Sequence, residues 1–223
     1  MPSKLQKFAE LNTFSNSFDL FFDQLPQGFP LKGKWHSDVF KNENPIVIEL
    51  GCGRGEYTVG LAKNNSSKNF IGLDIKGNRI WTGAKDALDN NLSHVAFLRT
   101  LIDFIDYCFA ENEVSEIWIT FPDPQPQKTR ERKRLTNPTF FLSRYKKILK
   151  PGGLIHLKTD NTGFYEYTME VIKDNNLPLV FATDNLYLNC PKDREELTQI
   201  KTYYEKLFTE KGEQIKYCCF KLD

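Results

Sequence analysis

Apolar and polar positions alternate along this chain in two distinct rhythms, and from residue 45 onward the rhythms take turns. Short apolar runs at 45–50, 69–74, 95–98, 116–120, 154–158, 179–183 and 214–222 read as strands. Between them, residues 56–63, 78–90, 138–149, 162–173 and 202–211 carry helical spacing, with a further short helix at 103–110. In 78–90, for example, Trp81, Ala84, Ala87 and Leu88 recur on one helical face. Pro138 suits a first helical turn and Asn137 its cap. Pro151, Gly152 and Gly153 read as a turn.

Strand–helix alternation at this spacing specifies an α/β fold, a doubly wound, mostly parallel seven-stranded sheet with helices on both faces. The last strand has no helix after it and can insert antiparallel. Residues 1–44 are more polar and carry scattered phenylalanines; they read as an N-terminal extension with one or two short helical pieces. Residues 45–223 then form one domain.

Bulk composition narrows the class without naming it. The chain has 223 residues, of which 40% are hydrophobic and 26% charged, an ordinary globular balance. No apolar run approaches a membrane span, and the N-terminus lacks the apolar core of a signal peptide, so a cytoplasmic protein with no membrane partner is expected. Its five cysteines, Cys52, Cys108, Cys190, Cys218 and Cys219, show no CxxC and read as packing residues. The adjacent Cys218 and Cys219 should face opposite sides of the last strand. No metal is expected, since His36, His94 and His156 have no ligand spacing. Oligomeric state is not legible; monomer and homodimer both fit.

Net charge is only +1, but its distribution is uneven. Residues 126–150 hold nine Lys/Arg against the single acid Glu131, which predicts a basic face. The run opens behind Phe121-Pro122-Asp123-Pro124, at the end of an apolar strand. Flanking prolines stiffen the Asp123 loop and keep it out of any helix. A stiff acid at a strand's end beside a cationic run suits a site that handles one base of a polyanion.

A second motif closes the first strand: Glu49-Leu50-Gly51-Cys52-Gly53-Arg54-Gly55. Glycines there permit a sharp turn and close approach of a ligand, and the next helix presents free N–H groups. The spacing is not that of a dinucleotide GxGxxG. Asp74 closes the second strand, where a carboxylate can accept both hydroxyls of a ribose. Glu49 repels phosphate and attracts ammonium and sulfonium, so the pocket suits S-adenosylmethionine better than a pyrophosphate.

These motifs, with His156-Leu157-Lys158-Thr159-Asp160-Asn161 and Thr202-Tyr203-Tyr204-Glu205, resemble the bacterial tRNA (guanine-N7-)-methyltransferases over residues 45–221. The resemblance implies a Rossmann-like class I methyltransferase fold. It also implies S-adenosylmethionine as cofactor, S-adenosylhomocysteine as product, and as substrate a tRNA variable-loop guanine, usually position 46. Carried over by motif, Glu49, Gly51, Gly53, Gly55, Asp74, Leu101 and Asp123 would bind cofactor, with Asp123 catalytic. Gln127, Lys128, Arg132, Arg134, Asp160, Thr202, Tyr203, Tyr204 and Glu205 would meet the substrate. The chain departs from the family pattern at Gln125 (usually Trp), Gln127 (usually Lys), Arg130 (usually His) and Leu101 (usually an acid, here displaced to Asp103).

From the residues alone, several roles stay open. Asp123 can stabilise charge on the purine or accept from guanine N1–H and N2–H. Thr202 and Glu205, one helical turn apart, can both face the cleft or form a capping box. Tyr203 and Tyr204 read as packing residues. A methyltransferase with another substrate and a non-catalytic RNA-binding protein both share these motifs; a nicotinamide dehydrogenase does not fit the glycines.

Overall fold

The computed structural model describes residues 2–222. Eight strands form one sheet: β1 (Ser17–Asp19), β2 (Ile46–Leu50), β3 (Asn69–Asp74), β4 (Val95–Arg99), β5 (Val114–Thr120), β6 (Leu149–Thr159), β7 (Leu179–Thr183) and β8 (Lys216–Lys221). Their order is β1-β4-β3-β2-β5-β6-β8-β7. Only β8 runs antiparallel to its neighbours, β6 and β7. The Rossmann-like arrangement follows directly from the alternation in the sequence, and the antiparallel final strand from the lack of a helix after it.

The eighth strand, β1, was not expected. It is three residues long and pairs with β4, Phe18 opposite Leu98, too short for a period-2 pattern to emerge. Residues 1–44 also reach the core. Trp35 is fully buried, stacks on Phe109 and donates its indole N–H to the Cys108 carbonyl at 3.0 Å. Glu113 accepts the backbone N–H groups of Gly33 and Trp35.

The inner strands β2, β3, β4 and β8 are buried on both faces. Along β2, Ile46, Ile48 and Leu50 enter one apolar cluster and Val47 the other. Along β8, Cys218 and Phe220 join the first cluster, Tyr217 and Cys219 the second, so the adjacent cysteines do face opposite sides. All five cysteines are free thiols.

The longer helices are α1 (Lys4–Leu11), α2 (Glu56–Asn64), α3 (Gly77–Asp89), α6 (Thr162–Asp174) and α9 (Tyr203–Glu210). Shorter pieces are α4 (Ile105–Cys108), α5 (Ser143–Ile148), α7 (Leu186–Asn189) and α8 (Glu196–Gln199); the last two carry too few residues for helical spacing to register. The helix expected at 138–149 starts as a wider turn at Pro138–Leu142, capped by Asn137 through the Phe140 N–H, and continues as α5. The turn expected at 151–153 is instead an irregularity inside β6. There the register jumps from Val114 opposite Leu149 to Glu116 opposite Leu154, with Gly152 at φ +73°. Among the described residues, no helix is long and apolar enough to cross a membrane.

Strand order reverses at β2, whose neighbours are β3 and β5. In open α/β sheets the crevice beyond the carboxyl ends of the strands at such a reversal receives ligands. The ends of β2, β3, β5 and β6 carry Glu49, Asp74, Asp123 and Asp160.

Candidate active site

A cleft of about 800 Å³ opens at that edge. Of the residues singled out in the sequence, Glu49, Gly51, Gly53, Asp74, Leu101, Asp123, Asp160, Thr202, Tyr203 and Tyr204 line it. The topology therefore brings six separate segments to one concavity.

Its floor is Glu49, a carboxylate only 3% exposed. The Thr58 backbone N–H donates to Oε2 at 2.8 Å, and the hydroxyls of Thr58 and Thr120 donate to the two oxygens. Burial pushes this carboxyl up to about 7, against those hydrogen bonds and helped by the neighbouring charge of Asp74. It has hydroxyl and amide donors but, among the described residues, no ion pair, which leaves its charge for a bound cation to meet.

The glycine turn lies against this acid. A Cβ added at Gly51 or Gly53 would meet no atom within 4 Å, so the backbone is bare where it lines the cleft. Gly53 donates its N–H to Asp74 Oδ2 at 2.9 Å, and Lys76 donates to Oδ1 at 2.8 Å. These two bonds fix the Asp74 carboxylate and leave each oxygen acceptor capacity for a diol. Ile75 and Leu101 follow, 42% and 43% exposed, two apolar side chains at the cleft's mouth. Asp103 also lines the cleft. Sequence reasoning missed Ile75, although its place directly after the strand-closing acid was a usable signal.

Gly55 differs from its neighbours. It does not line the cleft; at φ +72° it packs where a Cβ would stand 2.6 Å from Phe97 and 3.0 Å from the Cα of Gly83. Its role is close packing of α2 on α3. Gly55→Ala is expected to cost at least about 2 kcal/mol of stability, from the left-handed backbone and the overpacking together, as read by chemical denaturation.

The Asp123 loop is held in an uncommon shape. Phe121 and Gln125 have φ of +47° and +44°, values rare outside glycine and asparagine. Phe121 donates its N–H to the Lys158 carbonyl at 2.8 Å. The Gln125 N–H donates to Asp123 Oδ1 at 3.1 Å, and Arg134 Nε to the Gln125 carbonyl at 3.3 Å. Asp123 itself is exposed to the cleft.

Beyond the loop, Lys128–Lys133 form a 3₁₀ turn. Lys128 and Gln127 are exposed but do not line the cleft. Nor do Arg132 and Arg134, whose guanidiniums lie 4.4 Å from the ring centres of Phe140 and Tyr167. Within the 128–134 run the basic residue that does line it is Lys133, which the sequence reading left out of the site because a charge run gives no helical phase; Arg54, Lys76 and Arg79 line it from other segments.

The opposite wall comes from α9. Thr202 caps it, accepting the Glu205 N–H at 3.1 Å. Tyr203 and Tyr204, expected as packing residues, are 50% and 42% exposed and line the cleft. Tyr203 donates its N–H to Glu56 Oε2 at 2.8 Å and lies under the Arg54 guanidinium. Glu205 is turned the other way: fully buried and paired with Lys158 at 2.8 Å, it does not line the cleft. A helical residue three positions from the cap follows the buried face once that face holds a cation to receive it. Asp160, half-buried at the end of β6, has its carboxyl raised by desolvation.

Comparison with known proteins supports the same assignment. A family model described as "Putative methyltransferase" matches residues 43–218. A tRNA (guanine-N(7)-)-methyltransferase of Porphyromonas gingivalis is 54% identical over 95% of this chain and 86% of its own length. The protein of that name from Bacteroides fragilis is 50% identical over 99% of this chain and 86% of its own. Among solved structures, an antibiotic-related methyltransferase superposes with a TM-score of 0.62 at 18% identity, over 86% of this chain and 94% of that one, a likeness of fold. With an acid-floored glycine turn, a proline-flanked Asp123 and relatives matched along nearly the whole sequence, the chain belongs to the family of the tRNA (guanine-N(7)-)-methyltransferases.

Proposed function

We propose that the chain methylates N7 of a guanine in the variable loop of tRNA, usually position 46, with S-adenosylmethionine as donor. The observation that carries this reading is the convergence of Glu49, Asp74, Asp123 and Asp160 on one cleft with a basic turn at its rim. The cleft suits a cationic nucleoside: a buried carboxylate with no ion-pair partner among the described residues, bare glycine backbone, a fixed acid for a ribose and apolar side chains for an adenine. S-adenosylmethionine, when bound, supplies a methyl group already activated on sulfur. Glu49 and the glycine turn would hold its charged end, Asp74 its ribose, and Ile75, Leu101 and Asp103 its base.

Guanine N7 carries an in-plane lone pair and needs no deprotonation, so no general base is asked of the chain. Its task is alignment, which can supply roughly 7–11 kcal/mol in favourable cases. Asp123 would stand beside the purine as its imidazole ring becomes positive. Tyr203 and Tyr204 offer exposed ring faces to a base extruded from the RNA, in place of the aromatic residue usual at Gln125. In this reading residues 45–223 carry the chemistry and residues 1–44 brace the sheet edge. A tRNA substrate would be met in the cytoplasm.

The test is incubation with unmodified tRNA and labelled cofactor, then chemical cleavage at N7-methylguanine. One cleavage site in the variable loop is expected; none there overturns the reading. A second expectation concerns the rim. Phosphates held by Lys128, Arg130 and Lys133 release counterions, so Arg130→Gln with Lys133→Gln should flatten the slope of log K against log salt by about 1.5. Filter binding at several salt concentrations measures it.

A further inference from the structure

Behind the α9 wall of the cleft a buried cation has every donor engaged. Lys158 lies on β6, two residues before Asp160, and is fully buried. Its ammonium donates to Glu205 Oε1 at 2.8 Å, to the Leu197 carbonyl at 2.5 Å and to the Ile200 carbonyl at 3.4 Å. An ammonium has three N–H groups, and here each has an acceptor. The acceptors lie in α8, at its end, and in α9, and so fix the approach to Thr202, Tyr203 and Tyr204. The same residue's backbone carbonyl accepts the Phe121 N–H, which opens the Asp123 loop. One residue thus ties both walls of the cleft.

Glu205 is committed to this arrangement. Its Oε1 takes Lys158 and, at 2.7 Å, the Tyr187 hydroxyl, while Oε2 is buried without a hydrogen-bond partner. A carboxylate so enclosed has no face toward an RNA base in the cleft.

We propose that Lys158 is a positioning residue for methyl transfer, setting the span between the Asp123 loop and the Thr202–Tyr204 wall, with Glu205 as its counter-ion rather than a contact to tRNA. The inference rests on the function proposed above. Buried ion pairs can often be replaced by apolar pairs of similar volume without loss of stability, so stability is not what this pair uniquely provides. What an apolar pair cannot reproduce is the directed hold on the Leu197 and Ile200 carbonyls.

The decisive variant is Lys158→Met with Glu205→Leu, measured for thermal midpoint, for S-adenosylmethionine affinity by calorimetry, and for kcat and KM on tRNA. Expected is a midpoint near that of the wild type, cofactor affinity within about threefold, and kcat/KM on tRNA at least ~30-fold lower, the scale of a wall misplaced by about an ångström. A folded double variant with wild-type kcat/KM overturns the inference. If that variant fails to fold, Glu205→Gln decides, since it keeps the Lys158 bonds to both carbonyls. A kcat/KM within about fivefold of wild type supports a positioning role, whereas a ~100-fold loss at unchanged midpoint makes Glu205 a direct substrate contact and overturns it. Wild-type protein run in parallel separates the two levels. No N7-methylguanine from the wild type overturns the functional reading itself, while full activity in the variant overturns only this inference.

Discussion

Asp123→Ala is expected to lower kcat about 10²–10³-fold while leaving cofactor affinity within a few-fold, the scale found when one preorganised electrostatic group is removed from a reacting centre. The reason is geometric. Asp123 lines the cleft at the end of β5, one oxygen engaged by the Gln125 N–H, while Glu49 and Asp74, the acids proposed to hold the cofactor, end other strands. Removing Asp123 leaves the glycine turn and its hydrogen bonds untouched. Single-turnover methylation with saturating tRNA, set beside calorimetry with S-adenosylmethionine, reads the two quantities separately. Equal losses in both would take Asp123 out of the chemical step. Asp123→Asn distinguishes its two candidate roles: a charge-stabilising acid is lost in the amide, whereas an acceptor for guanine N–H groups is half retained.

The second large effect belongs to Glu49. Burial holds its carboxyl at about 7, from a usual 4.5. A cation in the cleft favours the ionised form, so cofactor binding should weaken about tenfold per pH unit below 7 and level off above it. At pH 7 about half a proton should leave on binding, measurable by calorimetry in buffers of different ionisation enthalpy. The sign for stability is the opposite. Because the folded chain holds this proton more tightly than the unfolded chain, its contribution is fully present below about 4.5 and is lost as pH rises through about 7, roughly 3 kcal/mol in all. Glu49→Gln should therefore gain stability relative to wild type above pH 7 while losing cofactor affinity by about 30-fold or more, the cost of an unpaired charge in a desolvated site. A pH-independent cofactor affinity between 5 and 8 would remove Glu49 from contact with the cation.

Much of this was legible beforehand, for identifiable reasons. β2 to β8 declare themselves because each gathers β-branched, aromatic or other apolar residues into one short run, and Glu49, Asp74, Asp123 and Asp160 could be named because each lies at the end of one of those runs. What escaped is either short or non-local. β1 has three residues and helices α7 and α8 four each, beneath the reach of any periodicity. Ile75 is an apolar residue left exposed, which hydrophobic periodicity does not separate from core residues; only its place directly after Asp74 marks it. The Lys158–Glu205 pair joins positions far apart in sequence, and helical spacing from Thr202 leaves Glu205 either facing the cleft or closing a capping box, with no sign of Lys158. In the basic run, Lys133 faces the cleft while Arg132 and Arg134 lie over aromatic rings, a choice made by the phase of a 3₁₀ turn and by Phe140 and Tyr167 outside the run.

The loop that bears Asp123 has one more consequence. With Phe121 and Gln125 both held at positive φ, the segment sits in a conformation that would be scarcely populated in a free peptide, at about 1–3 kcal/mol for each such residue. That cost is met during folding, by the β6 carbonyl, the Asx turn and the Arg134 clamp, and so need not be met again when RNA arrives. The acid is rigid before its partner is, and the entropy of ordering on encounter falls on the RNA instead. Discrimination among tRNAs should then track how readily each one yields its guanine, rather than how far the protein can adapt to it.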